Sequence, residues 1–296
     1  MAFQTGNAKN MAELIPQMIS LLKTQGWILD KQEGDLNTSG YITWYIHHPD
    51  AGYFNLRSWG GKDLRLRGTT GFDGSQSFYQ QPGATEEYAV YLGDSNRNMT
   101  TYDFFITARY CHVVIQDSDS HFYHFGFGLL NKEGDYTGGQ YLYMGSASSI
   151  FPFDHHYKYP QGSYVRAELP GETGITSGWY AFYQNSPRAI GLGAPMMGAP
   201  HPDILAVESS QSVLGGVLAP VPNAIYVTTS QGACIRLGVV PDFCVCQMQG
   251  LTPRAKVAVN GEQWMVVPIN RLTFKKPSSW DKEDTFTYAY AFRICV

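Results

Sequence analysis

The chain has 296 residues, enough for one large β domain or two smaller ones with a sizeable core. Its formal net charge of −4 gives no electrostatic reason to expect a nucleic-acid partner. It has no apolar run near about 18 residues, so we expect no membrane-spanning helix and no membrane partner. The N-terminal residues lack a signal-peptide pattern, so we expect the protein to stay in the cytoplasm until it is assembled.

The balance of side chains is unusual for a soluble protein. Charged residues make up 16% of the chain and aromatic residues 14%, whereas about 25% charged residues is typical. Partner chains that cover much of the surface would explain this deficit. A large β-sandwich with an uncharged polar exterior would explain it equally well.

The first predicted element is an amphipathic helix from about residue 11 to about residue 25. Asn10 is placed to cap it, with Glu13 as the partner in a capping box, and Gly26 is placed to end it. Pro16 should kink the helix or delay its start. We expect the apolar stripe to pack on a sheet of the same chain or to dock in a groove of a neighbour; it comprises Met11, Leu14, Ile15, Met18, Ile19 and Leu22.

Strands are predicted to follow the helix. Residues 27–29 begin the first, and residues 41–48 and 53–59 form a pair joined by a turn over 49–52. Residues 64–67 alternate between leucine and arginine, which predicts one apolar face and one basic face. A loop with three aromatic residues over 68–83 comes before the next strand, which spans 88–92.

The stretch over 102–144 is the most densely aromatic part of the chain. Period-two alternation over 102–116 predicts one strand, the Asp/Ser run at 117–120 predicts a turn, and 121–128 predicts a second strand. Together they predict a long hairpin at the centre of a β-sheet, with the character of a scaffold.

The second half of the chain begins with a less regular pattern. Residues 145–202 are rich in Gly, Pro, Ser and Tyr, which predicts long extended loops that lie as arms across other subunits. The Met196-Met197 pair fits an adaptable contact surface. Strands are predicted again after residue 203, with a hairpin turn at Asn260-Gly261 and a final strand over 285–294.

These patterns predict a mainly β fold: β-sandwich-like antiparallel sheets with one N-terminal amphipathic helix and long extended loops. We expect residues 1–195 to form the helix and a main β domain. Residues 196–296 are predicted to form a smaller C-terminal β region, which can complete the same sandwich.

The cysteines predict no reactive or metal-binding site. An odd number of cysteines with no secretion signal favours reduced thiols. Cys244 and Cys246 would lie on one face of a strand, which is a poor geometry for zinc, so buried structural thiols are expected. Pairing of Cys295 with a neighbouring subunit outside the cell is an alternative.

The histidines predict no metal site either, although six of the eight fall in pairs. These are His47-His48, His155-His156 and His121 with His124. On a strand, the two members of each pair point to opposite faces. Asp154, His155 and His156 could hold a metal, but a loop that faces a partner is the preferred interpretation. Cys111 and His112 are adjacent and would diverge on a strand, so they predict no catalytic dyad.

One enzyme class has some support, namely a glycoside hydrolase on a β-sandwich. Such a site needs two carboxylates beside aromatic platforms. The candidate platforms are Trp44, Trp59, Tyr79 and Trp179, and the candidate acids are Asp73, Glu86 and Glu87. Aromatic enrichment is equally typical of protein interfaces. We therefore predict no enzyme, no catalytic residue, no cofactor and no metal, with non-catalytic carbohydrate binding as the alternative.

Several segments resemble tailed-bacteriophage virion proteins of the tail and neck gene clusters. The helix end LLKTQGWIL and the segments YFNLRSWGGKDLRLRGTTGFDGSQSFYQQPG, TTYDFFITARYCHVVIQ, GLLNKEGDYTGGQYLYMG and VNGEQWMVVPINRL with YAYAFRI carry the resemblance. It covers most of the chain as a pattern of layout. The segment PFDHHYKYPQGS departs from that pattern, which leaves the position within the particle open.

The resemblance implies a structural protein present in many copies in the tail, baseplate, neck or collar of the virion. Its implied partners are copies of itself and tail tube, sheath, baseplate or neck proteins. It would be assembled into the virion in the host cytoplasm. The alternative function is a tail protein that binds or degrades carbohydrate on the host surface.

Overall fold

The computed structural model describes residues 1–61, 63–85, 87–91, 99–117, 122–145, 163–168, 178–182, 195–198, 221–228, 234–247, 251–268 and 288–294. Within these ranges the chain is mainly β, with antiparallel sheets and one helix near the N-terminus, which confirms the predicted fold class. No helix in these ranges has both the length and the apolar character needed to cross a membrane.

The helix α1 (Met11–Thr24) lies between the first two strands of the chain. The first ten strands are β1 (Ala2–Asn7), β2 (Ile28–Asp35), β3 (Tyr41–His48), β4 (Gly52–Trp59), β5 (Asp63–Thr69), β6 (Tyr88–Tyr91), β7 (Met99–Ile106), β8 (Tyr110–Asp117), β9 (Phe122–Leu129) and β10 (Asn131–Lys132). The remaining strands are β11 (Thr137–Gly145), β12 (Ser163–Glu168), β13 (Gly178–Phe182), β14 (Pro195–Gly198), β15 (Val221–Thr228), β16 (Cys234–Gln247), β17 (Lys256–Val259), β18 (Glu262–Pro268) and β19 (Tyr288–Ile294).

Three antiparallel sheets stack on one another. The central sheet has the order β1-β7-β8-β9-β11-β12-β13, and its strands are apolar on both faces. Phe104 faces one hydrophobic core and Phe105, the next residue, faces the other. A sheet of this kind needs a layer on each side. The helix-side sheet (β2-β3-β4-β5-β6) covers one face, and the C-terminal sheet (β14-β15-β16-β19-β18-β17, with β10 beside β16) covers the other.

The first core lies between α1, the helix-side sheet and the central sheet. Trp27 contacts the rings of Phe54 and Phe127 there, and its indole N–H donates to the Thr107 carbonyl at 2.7 Å. All six residues of the predicted stripe on α1 are buried in the chain's own core. The prediction that the helix packs on a sheet is therefore confirmed, and the stripe is not available to a neighbouring chain.

The ends of α1 match their local signals with two differences. Asn10 accepts a hydrogen bond from the Glu13 amide at 3.0 Å, and Gly26 ends the helix with φ of +86°. The Glu13 carboxylate, however, accepts from the Lys9 amide instead of the Asn10 amide. Pro16 does not delay the helix start, because the helix begins at Met11 and contains Pro16; the alternative, a kink at Pro16, stays a prediction.

The second core lies between the central and C-terminal sheets. Phe105 stacks on Phe292 with ring centroids 4.9 Å apart, and Tyr143 stacks on Phe243 at 5.4 Å. Residues from both sides of the predicted boundary at 195/196 thus share one core. The boundary itself stays a prediction.

The predicted hairpin over 102–128 is wrong in one respect. Its first strand is two strands, β7 and β8, because the chain reverses at Thr107. The Thr107 hydroxyl accepts hydrogen bonds from the amides of Arg109 (3.0 Å) and Tyr110 (3.2 Å), which closes this turn without Gly or Pro. Strand β1 was not predicted. It pairs with β7, about one hundred residues further along the chain.

The later predictions have mixed outcomes. The Asn260-Gly261 hairpin is confirmed, with φ of +52° and +82°, and β19 forms the final described strand. Three short strands, β12 to β14, lie in the region predicted to be loops. The proposed arms over 146–162 and 183–194 lie outside the described residues. Strand β14 contains Met196 and Met197 and pairs with β15.

Candidate functional site

The outer face of the helix-side sheet carries polar, charged and aromatic side chains, most of them buried. Alternation along β3, β4 and β5 sends Trp44, Phe54 and Leu66 into the first core and the residues between them outward. We call this outward surface the arginine–aromatic face. Its members are Tyr41, Thr43, Tyr45 and His47 from β3, Tyr53, Asn55, Arg57 and Trp59 from β4, and Asp63, Arg65, Arg67 and Thr69 from β5.

The loop over 70–85 folds back onto this face as a compact Ω-loop. Its ends meet where the Thr70 amide donates to the Pro82 carbonyl at 2.9 Å. Inside the loop, the buried Gln81 amide group bonds to the backbone of Asp73 and Gln76 at 2.9 Å. These bonds hold the loop in one shape and place the fully buried Phe78 over the sheet.

Arg57 is the centre of the face. Its guanidinium carbon lies 4.4 Å from the ring centroid of Tyr41, 4.4 Å from that of Phe78 and 5.1 Å from that of Tyr79. Its Nε donates to the Thr43 hydroxyl at 2.8 Å, and its side chain is only 6% exposed. Arginine stacked on aromatic rings and largely removed from water is a strong recognition group for a carboxylate.

Glu33 stands beside Arg57 as a charged carboxylate. Its Oε1 accepts from the Tyr45 hydroxyl at 2.5 Å, and its Oε2 lies 2.8 Å from Lys31 Nζ. Burial alone would raise the pKa of Glu33, but the hydrogen bonds from Lys31 and Tyr45 and the charge of Arg57 lower it below its ordinary value. Arg57 Nη2 is 4.0 Å from Glu33 Oε1, which is beyond hydrogen-bond distance.

Arg67 joins the loop to the sheet. Its Nε donates to the Thr85 carbonyl at 2.6 Å and its Nη1 to the Phe78 carbonyl at 3.3 Å. Its guanidinium carbon is 5.8 Å from the Phe78 ring. Two guanidinium groups, those of Arg57 and Arg67, therefore converge on one ring.

Trp59 marks the edge of the face and is 38% exposed. Its ring is tilted against Tyr41 at 5.1 Å, and the Arg65 guanidinium lies 5.5 Å from it. Arg65 in turn pairs with Asp63 at 3.1 Å and with Glu87. Burial raises the pKa of Asp63, although hydrogen bonds from the Trp59 amide and Arg65 oppose this.

The four predicted aromatic platforms separate into two groups. Trp59 and Tyr79 (49% exposed) lie at this face, whereas Trp44 is 1% exposed in the first core and Trp179 packs against that core. A buried indole cannot stack on a sugar, so Trp44 is not a platform. Trp179 is partly buried and lies away from Trp59 and Tyr79, on β13 of the central sheet. The sequence around Trp44 is apolar at consecutive positions, so it does not show that the Trp44 side chain points into the core.

Of the predicted acids, Asp73 and Glu87 lie in the described residues, and Asp73 lacks the environment of a general acid. Hydrogen bonds from Ser75 lower the pKa of Asp73, whereas a general acid requires a raised pKa. Glu87 pairs with Arg65, and Glu86 lies outside the described residues. The prediction of no catalytic residue stays a prediction.

The two histidines of the first pair diverge as predicted. His47 lies on the arginine–aromatic face, 2.8 Å from Asp30 and stacked on Tyr53. His48 is buried on the opposite face beside Trp27. His121, His155 and His156 lie outside the described residues. Among the residues that are described, no group of three or more His, Cys, Asp or Glu side chains has the arrangement of a metal site.

Cys111 and His112 also diverge, into the first and second cores. His112 bonds to the Tyr143 hydroxyl at 2.8 Å and the Pro241 carbonyl at 2.9 Å. Cys111, Cys244 and Cys246 are buried free thiols, and burial raises the pKa of each. These three are structural thiols, as predicted. Cys295 lies outside the described residues.

Arg57 was not singled out from the sequence. The signal that could have found it is the alternation Phe54-Asn55-Leu56-Arg57, which predicts a polar outer face on β4. The sequence matches no protein-family model, and no curated protein matches it.

Proposed function

We propose that this protein is a non-catalytic structural component of a tailed-bacteriophage virion. In this proposal it assembles in multiple copies in the tail, baseplate, neck or collar, through its loops, its strand edges and the arginine–aromatic face. The observation that carries the proposal is the Arg57 cluster. Arg, Tyr and Trp are the residue types enriched at protein interfaces and among their hot spots. The sequence resemblance supplies the virion context.

The chemistry of the other buried groups supports a role without catalysis. Burial lowers the pKa of His112 to about 4 and that of His124 to about 3, so both are neutral at physiological pH. Both are sealed between two sheets and cannot reach a substrate. The buried thiols of Cys111 and Cys244 have raised pKa values and are poor nucleophiles.

The sheet edges offer further contact sites. In the described residues, β2 and β6 end the helix-side sheet, and β1 and β13 end the central sheet. An edge strand presents unpaired backbone donors and acceptors, and closed rings of subunits cover such edges. The proposed partners are copies of this chain and other virion proteins, not nucleic acid or membrane.

The direct test is sedimentation of purified particles on a density gradient. An antibody against the chain should detect it in the particle fraction, in constant proportion to a major coat protein. Treatment with high salt should leave it there. A chain found only in the soluble fraction of the lysate would overturn the proposal.

A second candidate function is recognition of carbohydrate on the host surface. The specific observation in its favour is that Trp59 and Tyr79 are exposed, Trp59 beside Arg65 and Tyr79 beside Arg57. Single alanine variants at these two positions should lose glycan binding on an array if this function is correct. Ile28→Ala is the matched control, because Ile28 is also exposed on this sheet. Glycan binding that no variant changes would exclude this site.

A further inference from the structure

Arg57 has a hydrogen-bonding capacity that the described part of the chain does not use. Only its Nε donates a hydrogen bond to a described residue, although the side chain is just 6% exposed. Its Nη2 lies 4.0 Å from Glu33 Oε1, which is an ion pair without a hydrogen bond. A buried guanidinium without a close anion is costly, and proteins normally supply that anion.

The local charges give the sign of the missing group. Arg57 and Arg67 both approach the Phe78 ring, at 4.4 and 5.8 Å. The one described carboxylate within 4.0 Å of Arg57 belongs to Glu33, and Lys31 and Tyr45 already hold its oxygens. A second carboxylate within 4.0 Å of Arg57 is therefore absent from the described residues.

We propose that the Arg57 pocket receives the carboxylate of an Asp or Glu side chain from a neighbouring protein chain in the assembly. This rests on the proposed function and names the chemistry of its partner. The flat guanidinium, held between the Tyr41 and Phe78 rings, is set to bind a planar carboxylate through its two terminal nitrogens. The exposed Tyr79 at the opening packs on the body of the incoming residue.

An acidic side chain fits better than a sugar for a structural reason. A pyranose needs an open aromatic face, and the ring of Trp59 is flanked by Arg65 at 5.5 Å and by Tyr41 at 5.1 Å. The guanidinium of Arg57 is also little exposed, because Phe78 and Tyr79 lie against it at 4.4 and 5.1 Å. A single side chain enters such an opening more readily than a sugar ring.

The test is a titration of the full chain with two matched probes, N-acetylglutamate N-methylamide and its glutamine counterpart. Amide NMR signals of Thr43, Arg57 and Phe78 report binding. We expect the glutamate probe to bind at least about tenfold more tightly, the factor that a charge-assisted pair supplies. Equal affinity for the two probes would overturn the proposal. So would tighter binding of glucuronate than of the glutamate probe, which would indicate a glycan site.

Variants locate the effect. Arg57→Gln should abolish the preference for glutamate. Arg57→Lys should retain a weaker preference, because lysine keeps the positive charge but lacks the two parallel N–H donors of the guanidinium. Arg236→Gln is the matched control, since Arg236 is an exposed arginine paired with Glu133 on another sheet. Glu33→Gln should tighten glutamate binding by removing a competing carboxylate. This variant keeps the Arg57 stack, so it decides the matter even if Arg57→Gln does not fold.

The same variants separate this proposal from the function on which it rests. Particles made with Arg57→Gln should incorporate several-fold less of the chain than particles made with Arg236→Gln. Equal incorporation would overturn the role of Arg57 and leave the virion function standing. A chain absent from particles altogether would overturn the virion function, and the probe titration would still decide what the pocket binds.

Discussion

Acid should destabilise this protein through two histidines buried between the central and C-terminal sheets. Neither ring nitrogen of His124 has a hydrogen-bond partner among the described residues, and His112 is fully enclosed. Burial lowers the pKa of His112 to about 4, with partial opposition from its bond to Pro241, and lowers that of His124 to about 3. In the unfolded chain each pKa is about 6.5.

The sign follows from which state takes up the proton. Below about pH 6.5 the unfolded chain binds a proton on each ring and the folded chain does not. The free energy of unfolding therefore decreases as the pH is lowered. This loss continues down to the folded pKa values of about 4 and 3. A pH of 5 is about 1.5 units below the unfolded pKa of each histidine. At about 1.36 kcal/mol per unit, each histidine then lowers the free energy of unfolding by about 2 kcal/mol. The pair together removes about 4 kcal/mol, a large part of a typical stability of about 5–15 kcal/mol.

The assay is urea unfolding at pH 8 and pH 5 for the wild type and for His124→Phe. The phenyl ring keeps the contact with Tyr290, whose ring centroid is 4.9 Å away, and loses no hydrogen bond to a described residue. Between these two pH values we expect the variant to lose about 2 kcal/mol less stability than the wild type, because it lacks the contribution of His124. Other titrating groups, including His48, whose pKa burial also lowers, are common to both proteins and cancel.

The variant should be at least as stable as the wild type at pH 8, because an unpaired buried polar group costs about 1–3 kcal/mol. His112→Phe is the contrasting control. It should also reduce the pH dependence, but it loses two hydrogen bonds and should be less stable at pH 8. A loss for His124→Phe equal to that of the wild type would show that burial of this ring is not the cause.

Three further predictions concern the fold. Gly128→Ala should prevent folding, because the added Cβ would clash with the Arg109 carbonyl oxygen. Gly261→Ala should cost only about 1 kcal/mol for its positive φ, because nothing lies within 4 Å of its Cβ position. Thermal unfolding of both variants would check this contrast. Asn10→Ala should lower stability by about 1 kcal/mol through the lost cap, measured by urea unfolding, and an unchanged midpoint would contradict it. Cys111 and Cys246 should react with a thiol reagent at pH 8 only after unfolding, because burial raises their pKa, and peptide mapping that finds them modified in the native protein would contradict this.

Local signals in the sequence were sufficient for the elements whose ends are fixed by nearby residues. The helix α1 has its cap at Asn10, its stripe and Gly26, and all three act within a few residues of one another. The Asn260-Gly261 turn needs two positive φ angles, which those residue types accept readily.

The turn at Thr107 escaped prediction because a hydroxyl forms it, without the Gly, Pro or Asn that usually mark a turn. Strand β1 escaped because its stability comes from pairing with a distant segment. Long-range pairing leaves little trace in a short sequence window.

The candidate site was only partly predictable for the same reason. The alternation of leucine and arginine over 64–67 predicted a basic outer face, and β5 has it. The enclosure of Arg57 depends on the Ω-loop, which brings Phe78 and Tyr79 back over β4. Composition could suggest such a contact surface, but only the folded loop shows which arginine is enclosed.

Immunogold labelling of purified, permeabilised phage particles, viewed by negative-stain electron microscopy, is the sharpest test of the proposed place in the virion. We predict gold confined to one location, at the neck, the tail shaft or the baseplate. Particles that stay unlabelled, while a known virion protein is labelled in parallel, would contradict the proposal.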